Sequence, residues 1–333
     1  MKSLKLTVIL AAIAIILYGL YGVNTASAQK SMTLKMGHGH SILHPDHLGL
    51  VKFKELLQTR TNGRIKVEIF PSAQLGSEQE MCEQAKIGTI TGLIGARFEE
   101  MSPKLYATSL PFLFRDYGHT EKVLKGPIGN YYASFTEEHD LKMLAWTHSG
   151  FRQITNNVRP ISKPEDLKGI KIRTPPLENV LKTMEAFGAS PTPIPYAEVY
   201  TALKTGVVDG QENPYVNIFT GKFYEVQKYL SEVNYIYIAS PFIVGLKWWK
   251  SLTPQDQVII NTAALEAADL VNQLVRTEDL KAKETIVKSG VKINELTSAE
   301  RSAFIAKVNP VYDYFIKKGI VTEKTIKEIQ NIQ

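Results

Sequence analysis

Alternating strands and amphipathic helices follow one another along the first part of the chain. Residues 33–37 and 65–69 alternate apolar and polar side chains, which predicts strands. Residues 45–58 carry apolar side chains at helical spacing, and residues 78–86 predict a second helix before a short strand at 89–93. This strand–helix–strand–helix order is typical of a parallel α/β domain.

The middle of the chain repeats that layout. Residues 170–173 predict a strand that stops at Pro175, residues 177–187 predict a helix, and residues 196–204 predict another helix. A buried strand stub is predicted next, at 207–208. The fold class is therefore predicted as α/β, with two similar lobes facing each other.

One helical pattern is much longer than the others. Thr253 is a suitable N-cap, Pro254 suits the first helical position, and neither Pro nor Gly interrupts the pattern before Gly290. The predicted helix has about 36 residues and a length of roughly 54 Å. A helix of that length is predicted to span both lobes.

The N-terminus has the features of a secretory signal peptide. Lys2 and Lys5 precede an apolar run, and Ala26-Ser27-Ala28 forms a small-residue cleavage site, so cleavage is expected before Gln29. A permanent membrane anchor is the alternative, but the apolar run is short for a membrane span. Residues 1–28 are therefore predicted to direct the protein to the periplasm and then to be removed.

Composition limits the class of protein further. The remaining residues, 29–333, suit two ordinary domains, and their single cysteine, Cys82, excludes an intramolecular disulfide. The net charge of the whole chain is +6, and the charges are interspersed rather than gathered in a basic block. Nucleic-acid binding is therefore not favoured, whereas binding of small anions is compatible with the charge.

Two arginines and an amide are the strongest candidates for a binding site. Arg152, Arg173 and Asn213 each lie at the end of a short apolar run, next to Pro or Gly. A guanidinium group binds a carboxylate through two parallel hydrogen bonds and stays charged at any relevant pH. Because ligands of open α/β sheets bind at the carboxyl ends of strands, these residues predict a carboxylate-binding cleft.

Four histidines within ten residues raise the alternative of a metal site. Imidazole nitrogen is a common zinc ligand, but His38, His40, His44 and His47 do not form a regular pair within one helix. No metal site is therefore predicted, and a periplasmic zinc-binding protein stays an alternative. One of His38 or His40 is expected to line the cleft, and Phe151 is a candidate for its wall.

The chain also resembles the solute-binding proteins of tripartite ATP-independent periplasmic (TRAP) transporters, of the dicarboxylate-binding type. The resemblance covers essentially the whole chain after the signal peptide. Its most specific motifs are GFRQ at 150–153, GIKIRTP at 169–175, GASPTP at 188–193, DGQENP at 209–214 and KFYEV at 222–226.

This resemblance implies a fold, a function and roles for particular residues. The family has two α/β domains joined by hinge strands, here expected at 29–149 with about 239–279, and at 150–238 with about 280–333. Arg173 matches the arginine that forms the main salt bridge to the ligand carboxylate. Arg152 and Asn213 match further pocket residues, and Arg97 matches an arginine that contacts the ligand in some members.

The resemblance also implies partners. A monomeric receptor is expected that delivers an organic acid to TRAP permease subunits, without a cofactor or a catalytic residue. No enzyme motif is present, although an enzyme acting on a carboxylated metabolite stays an alternative.

The identity of the acid stays open at this stage. Three arginines exceed what one carboxylate requires, so a dicarboxylate is expected first, with a sugar acid or an aromatic acid as alternatives. Relatives that bind sialic acid carry a glutamate three residues before the arginine matched by Arg97. Ile94 occupies that position here, so a smaller or less polar carboxylate is expected to bind better than sialic acid.

Overall fold

Two β-sheets organise the part of the chain described by the computed structural model, which is residues 31–333. The predicted signal peptide at 1–28 lies outside the described residues. Thr33–Gln333 form one unit.

The strands are β1 (Met32–His38), β2 (Ile65–Phe70), β3 (Gly92–Ile94), β4 (Leu141–Phe151), β5 (Gln153–Asn156), β6 (Lys171–Thr174), β7 (Ser190–Pro193), β8 (Gly210–Asn213), β9 (Tyr229–Glu232), β10 (Tyr237–Gly245) and β11 (Lys292–Glu295). The α-helices are α1 (Pro45–Arg60), α2 (Glu78–Ile87), α3 (Phe98–Met101), α4 (Tyr117–Leu124), α5 (Pro127–Ser134), α6 (Glu178–Ala186), α7 (Val199–Lys204), α8 (Tyr215–Thr220), α9 (Leu246–Lys250), α10 (Pro254–Lys288), α11 (Ser298–Ile305), α12 (Asn309–Lys317) and α13 (Glu323–Asn331). Short 3₁₀ helices cover Pro103–Thr108, Phe135–His139, Pro164–Leu167, Tyr196–Glu198 and Phe223–Val226.

Each sheet forms the centre of one lobe. In lobe 1 the strand order is β2-β1-β3-β10-β4, and in lobe 2 it is β11-β9-β5-β8-β6-β7. β1 and β3 are parallel, as are β6, β7 and β8, whereas β10 runs antiparallel to β3 and β4. Both sheets are therefore mixed, because antiparallel strands that connect the lobes join a parallel core.

The connection between the lobes is a pair of hydrogen-bonded strands. Only Arg152 separates β4 of lobe 1 from β5 of lobe 2, and the chain returns through residues 233–236 into β10. β4 and β10 are paired up to the crossing, with Tyr237 opposite Phe151. The two crossings therefore lie side by side.

The long helix α10 begins and ends where the sequence predicts. The Thr253 side chain accepts a hydrogen bond from the Asp256 backbone N–H, and Pro254 is the first of 35 helical residues. Its length and composition would let it cross a membrane. Its buried side chains, among them Ile260 and Val271, instead pack against α1 and β4 of lobe 1, as in the core helix of a globular protein.

The same helix also contacts lobe 2. The Asp279 carboxylate accepts hydrogen bonds from the Tyr117 hydroxyl of lobe 1, at 2.6 Å, and from the Val216 N–H of lobe 2, at 3.0 Å. Burial raises the pKa of this carboxyl to about 6. One side chain of α10 therefore joins both lobes beside the crossing strands.

The C-terminal helices contact lobe 1 as well as lobe 2. The Phe315 ring of α12 lies 5.2 Å from that of Tyr106, and Phe304 of α11 lies 4.9 Å from Phe187 of lobe 2. The domain boundaries expected from the sequence stay a prediction.

One predicted strand is wrong, and the error lies next to the candidate site. Val207 of the expected stub is exposed, and the strand is instead β8, in which Gln211, Glu212 and Asn213 are all buried. β8 pairs with β5 and β6 in the middle of its sheet. A central strand is usually apolar, so a hydrophobic pattern does not detect this one.

Gly150 at the crossing has a backbone conformation that other residues disfavour. Its φ is +125°, and a Cβ atom there would lie 2.8 Å from the Tyr117 hydroxyl and 2.9 Å from Pro214 Cβ. We expect Gly150→Ala to lower the free energy of unfolding by about 2–4 kcal/mol, from backbone strain and overlap together.

Gly188→Ala is the matched control in urea denaturation. Its φ is also positive, at +86°, but no atom lies within 4 Å of the added Cβ, so only about 1 kcal/mol of strain is expected. Equal losses in the two variants would contradict the close packing at the crossing.

Candidate ligand-binding cleft

A cavity of about 310 Å³ lies between the two lobes, where the strands cross. Four of the predicted site residues line it: Arg97, Arg152, Arg173 and Asn213. Its volume is at the lower end of the range for small-molecule sites. Side chains from both lobes and from the crossing strands therefore surround one small chamber.

Arg173 is a buried cation that makes no ion pair with a described residue. It is 1% exposed, and its Nε donates a hydrogen bond to the Ile194 carbonyl at 2.8 Å. Its Nη1 has no hydrogen-bond acceptor among the described residues. Burial lowers the pKa of Arg173 to about 10, so the group is still charged at neutral pH.

Arg152, in contrast, forms an ion pair within the protein. Its Nε pairs with one Glu212 carboxylate oxygen, and its Nη2 contacts the other at 3.0 Å. The Tyr235 hydroxyl donates to the same carboxylate at 2.5 Å. Burial works against the charge of Arg152, but Glu212 outweighs it and raises its pKa.

Asn213 extends this network into the cavity. Its side-chain oxygen accepts a hydrogen bond from Arg152 Nη2 at 2.9 Å, and its Nδ2 donates to Gln211 Oε1 at 2.6 Å. The buried polar side chains of β8 are therefore hydrogen-bonded to one another, to Arg152 or to Tyr235, which is the condition for burying them without a large cost.

Arg97 also has a carboxylate partner. Its Nη2 pairs with Glu100, one turn further along, and its Nη1 donates to the Pro176 carbonyl of lobe 2 at 2.9 Å. Of the three cavity arginines, Arg173 alone makes no ion pair with a described residue. Arg173 is therefore the cavity arginine whose guanidinium group is left available for an ion pair with a ligand.

Glu78 is a cavity residue that the sequence analysis missed. It is the first residue of α2, whose N-terminus is closed by a capping box between Ser77 and Glu80. Burial raises the pKa of Glu78 to about 7, against the opposing effect of Arg97. A Cβ at Gly95 would lie 3.0 Å from Glu78 Cδ, so glycine makes room for this carboxyl.

The histidine segment forms a buried cluster at the edge of the cavity. One ligand atom each from His40, His44 and Asp46 lies within 4.8 Å of the others, close enough to surround a metal ion. The ring nitrogens of both histidines already make hydrogen bonds, whereas Asp46 Oδ1 has no partner among the described residues. His40 Nδ1 lies 2.9 Å from Asp46 Oδ2, and His44 Nδ1 accepts from the Asp46 N–H at 3.1 Å. A bound cation would have to displace these hydrogen bonds.

Two predicted site residues lie outside the cavity lining. His38 is buried, with its Nε2 3.1 Å from His47 Nδ1. Phe151 packs between the rings of Tyr117 and Tyr237 at the crossing. A ligand-binding role for both stays a prediction. The sequence predicted that either His38 or His40 lines the cleft, and it is His40 that lines it.

Several polar cavity residues gave no signal in the sequence. Tyr196 and Asn217 sit within helical patterns, while Ser149 and Ser240 sit within the strands β4 and β10. Each of these residue types is common in such positions. The folded structure places both Ser149 and Ser240 at the cavity wall.

Comparison with known proteins gives matches over most of the chain. The family model described as bacterial extracellular solute-binding protein, family 7, matches residues 36–318. The chain is 34% identical to the 2,3-diketo-L-gulonate-binding periplasmic protein of Escherichia coli strain K12 over 323 residues, which cover 95% of this chain and 98% of that protein.

Solved structures show the same architecture. A TRAP periplasmic solute-binding protein from Polaromonas sp. JS666, bound to D-erythronate, has a TM-score of 0.86 at 32% identity and covers 91% of this chain and 99% of its own. One from Sulfurospirillum deleyianum DSM 6946, with bound succinate, has a TM-score of 0.86 at 30% identity and covers 92% of this chain and 100% of its own. The predicted two-domain α/β fold is confirmed.

The contrast between the arginines predicts different effects on folding without any ligand. Arg152→Met leaves the buried Glu212 carboxylate unpaired, so we expect the free energy of unfolding to fall by about 3–5 kcal/mol. Arg173→Met removes a charge without an anionic partner and should change that free energy by no more than about 1 kcal/mol. Urea denaturation at pH 7 measures both. A larger loss for Arg173→Met would contradict the assignment of the ion pairs.

Proposed function

Because the chain belongs to the bacterial extracellular solute-binding protein family 7, we propose that it is a TRAP-transporter receptor for a sugar acid. It binds the acid through one carboxylate and delivers it to a TRAP-type membrane permease. The observation that carries the proposal is Arg173, a buried, charged guanidinium group that faces the cavity without a carboxylate partner among the described residues.

The number of free arginines favours one carboxylate in the ligand. The expectation of a dicarboxylate came from counting three arginines, but Arg152 pairs with Glu212 and Arg97 with Glu100. A second ligand carboxylate would compete with those two protein carboxylates. A cavity with one unpaired cation suits a monocarboxylate better.

Four further polar residues of the lining suit hydroxyl groups. Glu78, Ser149, Tyr196 and Ser240 place carboxyl and hydroxyl oxygens at the cavity wall. An ionised Glu78 accepts hydrogen bonds from ligand hydroxyls but repels a second carboxylate. A chain of hydroxyls with a single terminal carboxylate matches these groups, and an aromatic acid would leave them without partners.

The relatives include proteins for sugar acids and for a dicarboxylate, so the proposal rests on the cavity residues of this chain. The E. coli relative is named for 2,3-diketo-L-gulonate and the Polaromonas structure holds D-erythronate, which are both sugar acids. The Sulfurospirillum structure holds succinate, a dicarboxylate. We propose binding without chemical conversion, so the released acid should be identical to the acid added.

The leader and the location are part of the same proposal. Residues 1–28 direct the protein through the membrane, and cleavage before Gln29 releases it into the periplasm as a monomer. Mass spectrometry of the protein from a periplasmic extract should show a chain that begins at Gln29. A chain that still carries residues 1–28 and stays with the membrane fraction would support an anchor instead.

Calorimetry with four acids tests the ligand class. We expect L-gulonate or D-erythronate to bind at least tenfold more tightly than succinate or sialic acid, a difference of about 1.4 kcal/mol or more. Adding EDTA should not change the affinity, and chromatography should recover the acid unchanged. Tighter binding of succinate would overturn the sugar-acid assignment, and conversion of the acid would support an enzyme.

Arg173→Lys tests the two-point recognition of the carboxylate in the same assay. Lysine keeps the charge but loses the planar fork, so we expect affinity to fall on the order of a hundredfold, as for loss of one charge-assisted hydrogen bond and distortion of another. Lys182→Arg, on the outer surface of α6, is the matched control for exchange of these cations and should leave affinity unchanged. Affinity of Arg173→Lys within threefold of the parent would exclude two-point recognition of the carboxylate.

A further inference from the structure

Asn217 of lobe 2 contacts two stacked histidines of lobe 1. Its Oδ1 lies 3.3 Å from His44 Nε2, and its Nδ2 lies 3.3 Å from His40 Nε2. The two imidazole rings are 3.8 Å apart and nearly parallel, with an angle of 16° between them. All three side chains are at most 5% exposed. One amide therefore bonds both rings across the cleft.

The hydrogen bonds assign a proton to each ring. His44 Nδ1 accepts the Asp46 backbone N–H at the start of α1, so the proton of a neutral His44 lies on Nε2 and is donated to Asn217 Oδ1. His40 Nδ1 donates to the Asp46 carboxylate, which leaves Nε2 to accept from Asn217 Nδ2. One carboxamide presents the acceptor and the donor that these two neutral rings need.

A second contact holds the same amide residue in place. The Tyr196 hydroxyl donates to the Asn217 carbonyl at 3.1 Å, and the Tyr196 ring meets the His40 ring edge-on at 4.7 Å. Tyr196 and Asn217 belong to lobe 2, whereas the histidines precede and begin α1 in lobe 1. These contacts exist only while the lobes are together.

We propose that Asn217 is a positioning residue that latches the closed receptor by bonding His40 and His44, and that the latch requires both imidazoles to be neutral. The inference rests on the proposed receptor function, because it concerns how long the closed form holds its acid. A protonated His40 would turn a donor towards the Asn217 Nδ2 donor, so the latch opens as protons bind.

The charges around the cluster agree with neutral rings. Burial lowers the pKa of His40 to about 3, with Arg152 adding to the effect. Burial also lowers the pKa of His44 to about 3, with His40 adding to the effect and Asp46 opposing it. The other titratable groups that face the cluster are His38, His47, Glu78 and Tyr196.

The direction of the pH effect follows from the difference between the pKa values of the histidines in the closed form and in the open form. Separation of the lobes would remove Asn217 and Tyr196 from the two rings, and water in their place would move the pKa values of the histidines back towards the usual 6.5. The closed form binds fewer protons, so closure is fully favoured above about pH 6.5 and is progressively lost as the pH falls towards 3. We therefore expect the affinity to fall and the dissociation rate to rise from pH 8 to pH 5.5.

Asn217→Ala tests the latch, with L-gulonate as the probe, or the tightest acid of the panel if another exceeds it. Loss of the two cross-cleft hydrogen bonds should weaken binding by about tenfold at pH 8, mainly through faster dissociation. Asn157→Ala is the matched control, because it removes an amide that bonds the Val226 carbonyl within lobe 2. An unchanged dissociation rate in Asn217→Ala would contradict the latch.

His44→Asn separates the latch from direct contact with the acid. Asn217 lines the cavity but His44 does not, and asparagine can still accept the capping hydrogen bond of α1 while it is too short to reach Asn217. His44→Asn and Asn217→Ala should each weaken binding, and the double variant should be no weaker than the worse single variant. Fully additive losses would show that Asn217 acts on the acid alone.

Asn217→Asp distinguishes the latch from a merely structural role, because only the latch predicts a change in the direction of the pH dependence of affinity. A carboxylate cannot donate to His40 but attracts a protonated imidazole, so the affinity of this variant should rise from pH 8 to pH 6 while that of the parent falls. Asn217→Ala should show a flatter profile than the parent, since only the remaining groups such as Glu78 then titrate. Parallel profiles for all three proteins would overturn the proposal.

Spin labels keep the latch testable even if no acid in the panel binds. The single native cysteine, Cys82, is buried, so Lys54→Cys on α1 and Lys204→Cys on α7 can be labelled selectively. Electron–electron distance measurements at pH 8 without acid should show fewer short distances in Asn217→Ala than in the labelled parent. Failure of the parent to bind any acid counts against the proposed function, whereas equal distance distributions count against the latch.

Discussion

The buried charge of Arg173 is the constraint on which the arrangement of the cleft depends. Removing a guanidinium group from water is costly, and the protein offers it a carbonyl hydrogen bond but no carboxylate partner among the described residues. With a pKa of about 10, the group keeps its charge at neutral pH instead of losing the proton. A ligand carboxylate would therefore supply the direct ion pair that Arg173 does not make with a described residue.

The surrounding charges keep that interaction specific. The ion pairs of Arg152 with Glu212 and of Arg97 with Glu100 place two further arginines at the cavity without adding free positive charge. These arginines shape the wall and join elements, since Arg97 also bonds the Pro176 carbonyl across the cleft. The result is one cavity arginine without an ion pair to a described residue, and the proposed preference for a monocarboxylate rests on that arginine.

The sequence predicted the parts of the fold in which local pattern and burial agree. The first helix, the first two strands and the 35-residue helix follow from periodicity and caps, and Arg173 and Arg152 stood out because they follow apolar runs. β8 was missed because Gln211, Glu212 and Asn213 are polar yet buried, and their hydrogen-bond partners include Arg152 and Thr155, which lie outside β8. The pairing of Arg152 with Glu212 could not be predicted either, since sixty residues separate them and only the fold brings them together.

A crystal structure of the protein with a bound sugar acid tests the central claim most directly. The account predicts that both oxygens of the ligand carboxylate lie about 2.7–3.0 Å from the guanidinium nitrogens of Arg173. It also predicts that Glu212 stays paired with Arg152 and that the ligand hydroxyls reach Glu78. A carboxylate bound instead by Arg152, with Glu212 displaced, or by Arg97 alone, would contradict it.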